Sequence, residues 1–151
     1  MSNEDKEIET IPVGPLGLVP LKSCEELGKK VDAYLVRWRN ARQSEHKDTL
    51  AFMGYEKDSF IVRSQINRFG TGEGKGTLLQ SVRGKDLFLM VDVCNHSLTY
   101  SLCGMTNHMS PDDHFQDLKR IIAAGGAAAH RVNVIMPFLY EGRQHRRTKR
   151  E

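Results

Sequence analysis

The sequence has no long apolar run, no leader-like start and few cysteines. No stretch approaches the roughly 20 apolar residues that a membrane span needs, so no membrane partner is expected. The first residues are acidic rather than basic and then apolar, so no secretory signal is recognised. The three cysteines form no Cys-x-x-Cys pair, which favours a reducing compartment over a disulfide scaffold. These absences predict a soluble, cytoplasmic protein.

The composition is that of one globular domain with an uneven charge distribution. The chain has 151 residues, of which 39% are hydrophobic and 27% charged. Its formal net charge is +3, yet residues 143–150 alone hold five basic side chains, so the remainder is net negative. A basic end of this kind fits nucleic acid, an anionic small molecule such as a nucleotide, or a chain that stops within a loop.

Residues 1–20 are polar and then rich in proline and glycine, which predicts an extended arm that is ordered only if its aliphatic residues dock. We therefore divide the chain into an arm, 1–20, and a domain, 21–151. Ser23 and Glu26 form a capping box at the start of a predicted helix. Five apolar residues recur at helical spacing and predict its buried face: Leu27, Val31, Tyr34, Leu35 and Trp38. The residues predicted to face outward are Lys29, Lys30, Asp32 and Arg37.

Three strands are predicted in the middle of the chain. Residues 59–67 alternate, with Phe60, Val62, Ser64 and Ile66 on one face, which indicates a half-buried strand. A short strand over 77–82 follows a glycine-rich loop. Residues 86–93 are almost continuously apolar, which is typical of a central parallel strand.

The last third of the domain predicts a helix and a further strand. Ser110-Pro111-Asp112-Asp113 combines a hydroxyl cap, proline at the first helical position and two carboxylates at the positive end of the helix dipole. The helix is expected to run to about Ala129, and residues 132–137 form a buried strand. A strand, a crossover helix and a strand predict an α/β fold with a mostly parallel sheet flanked by helices.

The loop over residues 68–76 has a glycine at every second position from Gly70. It fails the Walker A pattern, which needs glycine at Phe69 and a hydroxyl at Gly76, and the carboxylate of Glu73 would repel a phosphate. Phe69 could stack on a nucleobase while Glu73 accepts a hydrogen bond from its exocyclic amine. The same spacing also fits a mobile hairpin tip, because glycine is the usual turn residue.

Two groups of potential metal ligands have better structural interpretations, so no metal site is predicted. Cys94, His96, Cys103 and His108 lack the paired spacing of zinc sites, and such cysteines are more often small core residues. Asp112 and Asp113 fit first-turn stabilisation of a helix.

The basic segment Arg143-Gln144-His145-Arg146 follows the last predicted strand. Ligands of open α/β sheets gather beyond the carboxyl ends of the strands. Guanidinium groups placed there suit polyphosphate. The alternative is a solvated tail, and charge alone does not separate the two.

Four segments, taken in order, resemble ribose-phosphate pyrophosphokinase. Residues 68–73, Arg-Phe-Gly-Thr-Gly-Glu, resemble its Arg-Phe-Ser-Asp-Gly-Glu loop, and residues 82–86 resemble its Val-Arg-Gly-x-Asp turn. Residues 113–129 resemble the helix that follows its Asn-Asp-x-Leu-Met-Glu-Leu segment. Pro137 and, six residues later, residues 143–146 resemble its Pro-Tyr-x-x-Tyr-x-Arg-Gln-Asp-Arg motif.

The resemblance implies a phosphoribosyltransferase-like fold and an enzyme of nucleotide biosynthesis. Such an enzyme transfers the diphosphoryl group of ATP, with Mg²⁺, to ribose 5-phosphate and makes phosphoribosyl pyrophosphate. It implies a homo-oligomer in which the aromatic loop of one subunit completes the ATP site of another. By position, Phe69 and Glu73 would contact adenine, and Arg143, Gln144 and Arg146 would hold the nucleotide and its phosphates.

Two departures and several missing segments limit what the resemblance implies. Thr71 and His145 stand where the family has aspartates. The family's metal-associated, catalytic-loop and ribose 5-phosphate segments have no counterpart in the chain. We therefore expect the N-terminal part of such an enzyme, inactive alone, with no catalytic residue and with apolar surface exposed at a domain junction. The alternatives are a non-catalytic regulatory subunit of the same fold and, less favoured, a basic-tailed nucleic-acid-binding module.

Overall fold

The computed structural model describes residues 12–44 and 57–146. The first part of the predicted arm and the basic residues after Arg146 lie outside the described residues. The elements in chain order are β1 (Leu16–Pro20), a 3₁₀ turn (Lys22–Cys24), α1 (Glu25–Ser44), β2 (Ser64–Arg68), β3 (Gly74–Leu78), β4 (Asp86–Met90), β5 (Thr99–Leu102), β6 (Met105–His108), α2 (Pro111–Gly125) and β7 (Arg131–Ile135).

A three-stranded parallel sheet of order β1-β4-β7 organises the domain. Its middle strand, β4, is buried on both faces, as the apolar run predicts. Leu89 pairs in register with Val19 on one side and Val134 on the other. Helix α2 lies in the connection from β4 to β7, so the predicted α/β class with a parallel sheet flanked by helices is confirmed.

The last five residues of the predicted arm form β1, an edge strand of this sheet. Leu18 and Val19 in β1 are buried in the core. The backbone of Leu18 also donates to Phe60 O at 2.9 Å and accepts from Val62 N at 2.7 Å. The alternating segment over 59–67, predicted as one strand, is therefore divided between two sheets. Residues 60–62 lie along β1, and β2 pairs with β3.

The start of α1 differs from the prediction. Ser23 does not cap the helix but lies in the 3₁₀ turn, and α1 begins at Glu25. The Ser23 hydroxyl instead accepts a hydrogen bond from Asp92 N at 3.1 Å, just beyond the end of β4. Glu26 is exposed and pairs with Lys29 at 2.9 Å. The hydroxyl that resembled a cap is thus used to join two loops at the carboxyl edge of the sheet.

The predicted buried face of α1 is correct at Val31 and Leu35 and wrong elsewhere. Asp32, expected outside, is buried and accepts hydrogen bonds from Phe60 N and Ser59 Oγ, both at 2.7 Å. Gly28 packs on Pro20 so closely that an added Cβ would lie 2.4 Å from its Cβ. The core-facing apolar residues are Val31, Leu35 and Val36. Leu27, Tyr34 and Trp38 are exposed instead.

Helix α2 begins as predicted and ends earlier than predicted. Ser110 and Asp113 form a reciprocal capping box, with Asp113 N to Ser110 Oγ at 3.1 Å and Ser110 N to Asp113 Oδ2 at 2.9 Å. The helix stops at Gly125 instead of about Ala129. The amides of Ala128 and Ala129 both reach back to Gly125 O, which turns the chain towards β7.

Two antiparallel hairpins flank the sheet, and the sequence predicted neither correctly. β3 covers Gly74–Leu78 rather than 77–82 and pairs with β2 from Ser64↔Leu78 to Arg68↔Gly74. The β5–β6 hairpin was not predicted.

Cys94 and Cys103, expected in the core, are exposed, whereas Cys24 is buried. No helix in the described ranges is long and apolar enough to cross a bilayer.

Apolar residues are exposed along the edge strand β7 and just after it. They are Val134, Ile135, Phe138 and Leu139. This surface has the character expected of a domain junction, and its role as a junction stays a prediction.

An ion pair between the buried Asp86 and the exposed Arg131 clamps β4 to β7 at the amino ends of the strands. Arg131 donates to both carboxylate oxygens of Asp86, Nε to Oδ1 at 2.9 Å and Nη2 to Oδ2 at 2.5 Å. Asn133 adds a third bond at 2.8 Å. The hydrogen bonds from Arg131, and then that from Asn133, hold the pKa of Asp86 below its ordinary value of 3.8.

We expect this pair to contribute to acid sensitivity. Because the pKa of Asp86 is lower in the folded state, its stabilising contribution is present above pH 3.8 and is lost as the pH falls through the folded value. The free energy of unfolding of Asp86→Asn should fall less steeply than that of the parent between about pH 4 and about pH 2. Urea unfolding across this range measures it, with exposed Asp58→Asn as control. Parallel curves for parent and Asp86→Asn would contradict the assignment.

Candidate functional site

The polar loops that follow β1 and β4 meet at the carboxyl edge of the parallel sheet. Asn95 Nδ2 donates to Ser23 O at 3.1 Å, and Cys94 N donates to Asp92 Oδ1 at 2.9 Å. The bonds from Asn95 and from Asp92 N to Ser23 join the two loops, and the bond from Cys94 N fixes the second loop internally. A cleft of about 430 Å³ opens here, lined among others by Ser23, Asp92 and Pro137. This is the position at which open α/β sheets bind ligands.

The turn after β7 leads from this edge into the basic segment and is held by Tyr140. The Tyr140 ring stacks on Phe115 of α2 with centroids 4.5 Å apart. Its hydroxyl donates to Asp112, and this hydrogen bond raises the pKa of Tyr140 to about 12. Its amide donates to Met136 Sδ at 3.1 Å. The basic segment therefore begins, at Arg143, three residues after Tyr140, whose position these contacts fix.

The basic segment is open to solvent. Arg143, Gln144 and Arg146 are all exposed. Gln144 N donates to Glu141 O at 2.9 Å, which closes the turn before the segment. Within the described part of the chain, neither Arg143 nor Arg146 forms an ion pair, so both guanidinium groups retain their donors for an external anion.

The β2–β3 hairpin places Phe69 and Glu73 together at its tip. Phe69 N donates to Glu73 O at 2.8 Å, and Gly72 takes a positive φ of 89° that favours glycine. The Phe69 side chain is 52% exposed. Thr71, which stands where the family that the sequence resembles has an aspartate, donates its hydroxyl to Glu73 Oε2 at 3.2 Å. The tip thus offers an aromatic face beside a carboxylate.

A buried charge cluster fixes this hairpin to α2. Arg68 Nη2 lies 3.0 Å from Asp117 Oδ2, and Arg120 Nη1 lies 2.6 Å from Asp117 Oδ1. Burial, the largest influence, raises the pKa of Asp117, while the hydrogen bond from Arg120 and the charge of Arg68 oppose this rise. We call Arg68, Asp117 and Arg120 the hairpin clamp.

The β5–β6 hairpin braces the other side of the tip. The Arg68 guanidinium lies 4.8 Å from the centroid of the Tyr100 ring. A Cβ added at Gly72 would lie 3.4 Å from Leu102 Cδ1, so the two hairpins touch near their ends. The Cys103 thiol is 4.0 Å from Gly70 O. The tip is therefore supported from both sides while Phe69 stays open to solvent.

The two groups of candidate residues do not meet. Among residues 12–44 and 57–146, no hydrogen bond, ion pair or ring contact joins Phe69 or Glu73 to the 143–146 segment. The four potential zinc ligands do not assemble either, because no metal-binding group of three or more His, Cys, Asp or Glu side chains occurs in the same ranges.

Sequence reasoning missed the clamp residue Asp117. It lies four positions before Ile121 and next to Leu118, which places it on the buried side of α2. His114, at the preceding turn, is also buried, and its Nε2 lies 2.7 Å from Asn95 O. The helical period could have identified both positions as buried, but not their partners.

Comparison with known families identifies a relationship that covers most of the chain. Residues 16–151 match the model of the N-terminal domain of ribose phosphate pyrophosphokinase, which covers nearly the whole chain. A comparison with curated proteins gives no match. The matched range begins at β1 and includes the hairpin tip, the clamp and the basic segment. The chain therefore belongs to the family of N-terminal domains of ribose phosphate pyrophosphokinase.

Proposed function

We propose that this domain contributes nucleotide-binding residues to a ribose-phosphate diphosphokinase. The observation that supports this most directly is that Arg143 and Arg146 follow β7, are exposed and form no ion pair among the described residues. A planar guanidinium presents a fork of donors that matches phosphate oxygens. Gln144 between them adds an amide that can both donate and accept. In this proposal the three side chains hold the phosphates of ATP.

Phe69 and Glu73 are proposed to bind adenine in a neighbouring subunit's site. The aromatic face suits stacking on a base, and a carboxylate can accept from the exocyclic amine of adenine. Among the described residues, no hydrogen bond, ion pair or ring contact joins these two residues to the 143–146 segment of the same chain, so we propose that one nucleotide held by both groups lies between two copies. A homo-oligomer is therefore part of the proposal.

The reaction proposed for the enzyme that contains this domain is diphosphoryl transfer. The 1-hydroxyl oxygen of ribose 5-phosphate attacks the β-phosphorus of ATP, the bond to the α-phosphate oxygen breaks, and AMP leaves. Mg²⁺ held by the phosphates neutralises charge on them. This domain's arginines would orient the nucleotide and stabilise phosphate charge. We propose that the isolated chain does not complete the transfer, because none of its residues is assigned to ribose 5-phosphate.

Calorimetric titration of Mg-ATP into the chain tests the binding step. Arg143→Ala should weaken binding by about tenfold or more, since a hydrogen bond to a charged group contributes about 1.5–3 kcal/mol. Arg83→Ala is the matched control, because Arg83 is an exposed arginine in the loop before β4, at the opposite edge of the sheet. Saturable binding that both variants leave unchanged would contradict the assignment of Arg143. Absence of binding at millimolar ATP in a concentrated, oligomeric sample would contradict the proposed function.

A non-catalytic regulatory subunit is the second candidate, and the geometry of the tip favours it. Thr71 brings no second carboxylate to the tip, and its hydroxyl donates to one oxygen of the Glu73 carboxylate. His145 Nδ1 lies 3.0 Å from Arg143 O and brings no carboxylate to the basic segment. A chain extended to include an acceptor domain separates the two candidates. Product formation supports the enzyme, whereas normal Mg-ATP binding without product supports the regulatory subunit.

A further inference from the structure

Helix α1 carries an apolar stripe that faces solvent. Leu27 is 43% exposed, Tyr34 52% and Trp38 62%. Exposed apolar residues scattered singly are ordinary, but here three large ones lie on one helix. Aromatic residues contribute much of the binding energy at protein interfaces, and tryptophan and tyrosine most of all.

The stripe has the spacing of a helix-packing seam. Leu27, Val31, Tyr34 and Trp38 are separated by four, three and four residues, which is the alternation of a heptad seam. The neighbouring face of α1 is occupied, because Leu35 and Val36 pack against the sheet. Val31, which packs partly against the sheet, lies at the border of the two faces. Leu27, Tyr34 and Trp38 therefore form an exposed apolar face beside the one that folding buries.

The aromatic residues of the stripe are ordered by their neighbours. The Tyr34 and Trp38 rings lie 6.3 Å apart at an angle of 53°. The Arg37 guanidinium lies over the Tyr34 ring, 4.5 Å from its centroid. Such contacts restrict the side chains before any partner arrives, which lowers the entropy that binding must overcome.

The rim of the stripe is basic. Lys30 and Arg37 lie at the flanking positions of the seam, and both are exposed. Asp32, the acidic residue between them in sequence, does not offset their charge at the surface, because it is buried and accepts from Phe60 N and Ser59 Oγ. A partner that covers the stripe thus meets positive charge at its edge.

We propose that the Leu27–Tyr34–Trp38 stripe binds an amphipathic helix of another protein whose apolar seam is flanked by acidic residues. A second copy of this chain fits less well, since antiparallel pairing would bring Lys30 and Arg37 of one helix against Arg37 and Lys30 of the other. The stripe lies on α1 and shares no residue with the nucleotide site, so this inference is independent of the proposed function.

Trp38 makes the inference directly measurable, because it is the chain's single tryptophan. Its fluorescence emission should be that of a solvated indole and should move to shorter wavelength when a partner covers it. The probe is a synthetic helical peptide, free of tryptophan, with leucine at the seam and glutamate at the flanks. Two control peptides keep all else equal. One replaces glutamate by lysine, and the other replaces seam leucines by serine.

The acidic peptide alone is expected to shift the emission of Trp38 in a saturable way. Tyr34→Ala should weaken that binding by about tenfold or more, as expected of a central aromatic contact. Leu79→Ala, which removes an exposed leucine at the end of the β2–β3 hairpin, should leave it unchanged. Arg37→Glu should reduce binding of the acidic peptide and improve binding of the lysine peptide. Circular dichroism of each variant confirms that α1 is retained.

Three results would overturn the proposal. Equal binding of the glutamate and lysine peptides would show that charge does not select the partner. An emission maximum already at short wavelength in the dilute chain would show that the chain covers its own stripe. Emission that depends on protein concentration and is unaffected by the acidic peptide would assign the stripe to self-association.

Discussion

Replacing Asp117 with alanine is expected to lower the free energy of unfolding by about 3–5 kcal/mol, because it leaves two largely buried arginines without their counterion. Arg68 and Arg120 retain only 12% and 19% side-chain exposure, and both lie within 3.0 Å of the Asp117 carboxylate. The loss is large because a guanidinium held out of water without a partner costs more than the pair contributes when it is intact.

Urea unfolding at neutral pH measures the effect, and two further variants locate its cause. Asp117→Asn keeps the shape and part of the hydrogen bonding, so it should be destabilised less than Asp117→Ala. Asp58→Ala removes an exposed carboxylate and should change stability by no more than about 0.5 kcal/mol. A loss below about 1 kcal/mol for Asp117→Ala would show that water reaches the clamp and solvates both arginines.

The central sheet could be predicted from the sequence because its signals are local. The apolar run at β4 and the helix cap at Ser110-Pro111 can each be recognised from a few consecutive residues. The connection β4–α2–β7 then follows from the order of elements. β1 was harder to recognise, since a five-residue strand beside prolines resembles an arm until its pairing partner is known.

The sequence does not show which face of α1 is buried, because this depends on a residue far away in the chain. Leu27, Tyr34 and Trp38 fit the helical period as well as the residues that are buried. What decides the face is Asp32, whose carboxylate accepts from the Phe60 amide 28 positions later in the chain. A buried aspartate with remote partners has no signature in a helical pattern, so the polar residue was assigned to solvent.

The candidate site was predictable by residue type but not by arrangement. The tip residues Phe69 and Glu73 and the basic segment were identified from chemistry and from the resemblance. Their separation within one chain, and the clamp that supports the tip, depend on contacts between elements far apart in sequence. Arg68 and Asp117, for example, are 49 positions apart.

The support of the tip also depends on close backbone approach at Gly76, and Gly76→Val is expected to destabilise the domain by about 3 kcal/mol. A Cβ at this position would lie 2.9 Å from the backbone carbonyl carbon and oxygen of Arg120, which cannot rotate away. The hairpin would have to move away from α2, and the distance between Arg68 and Asp117 in the hairpin clamp would then increase. Strand propensity alone predicts that Gly76→Val stabilises the domain, since valine is favoured in strands over glycine.

Gly70→Val provides the matched control for Gly76→Val, in the same hairpin and with the same change of side chain. Gly70 has no heavy atom within 4 Å of an added Cβ, so this variant should stay within about 1 kcal/mol of the parent. If both variants unfold at the urea concentration of the parent, the hairpin does not rest on the α2 backbone. If Gly76→Val alone is destabilised, and also binds Mg-ATP more weakly than Gly70→Val, then the position of the hairpin on α2 controls how Phe69 and Glu73 are presented. The nucleotide site would then depend on Asp117 and Gly76, two residues that touch no nucleotide in the proposal.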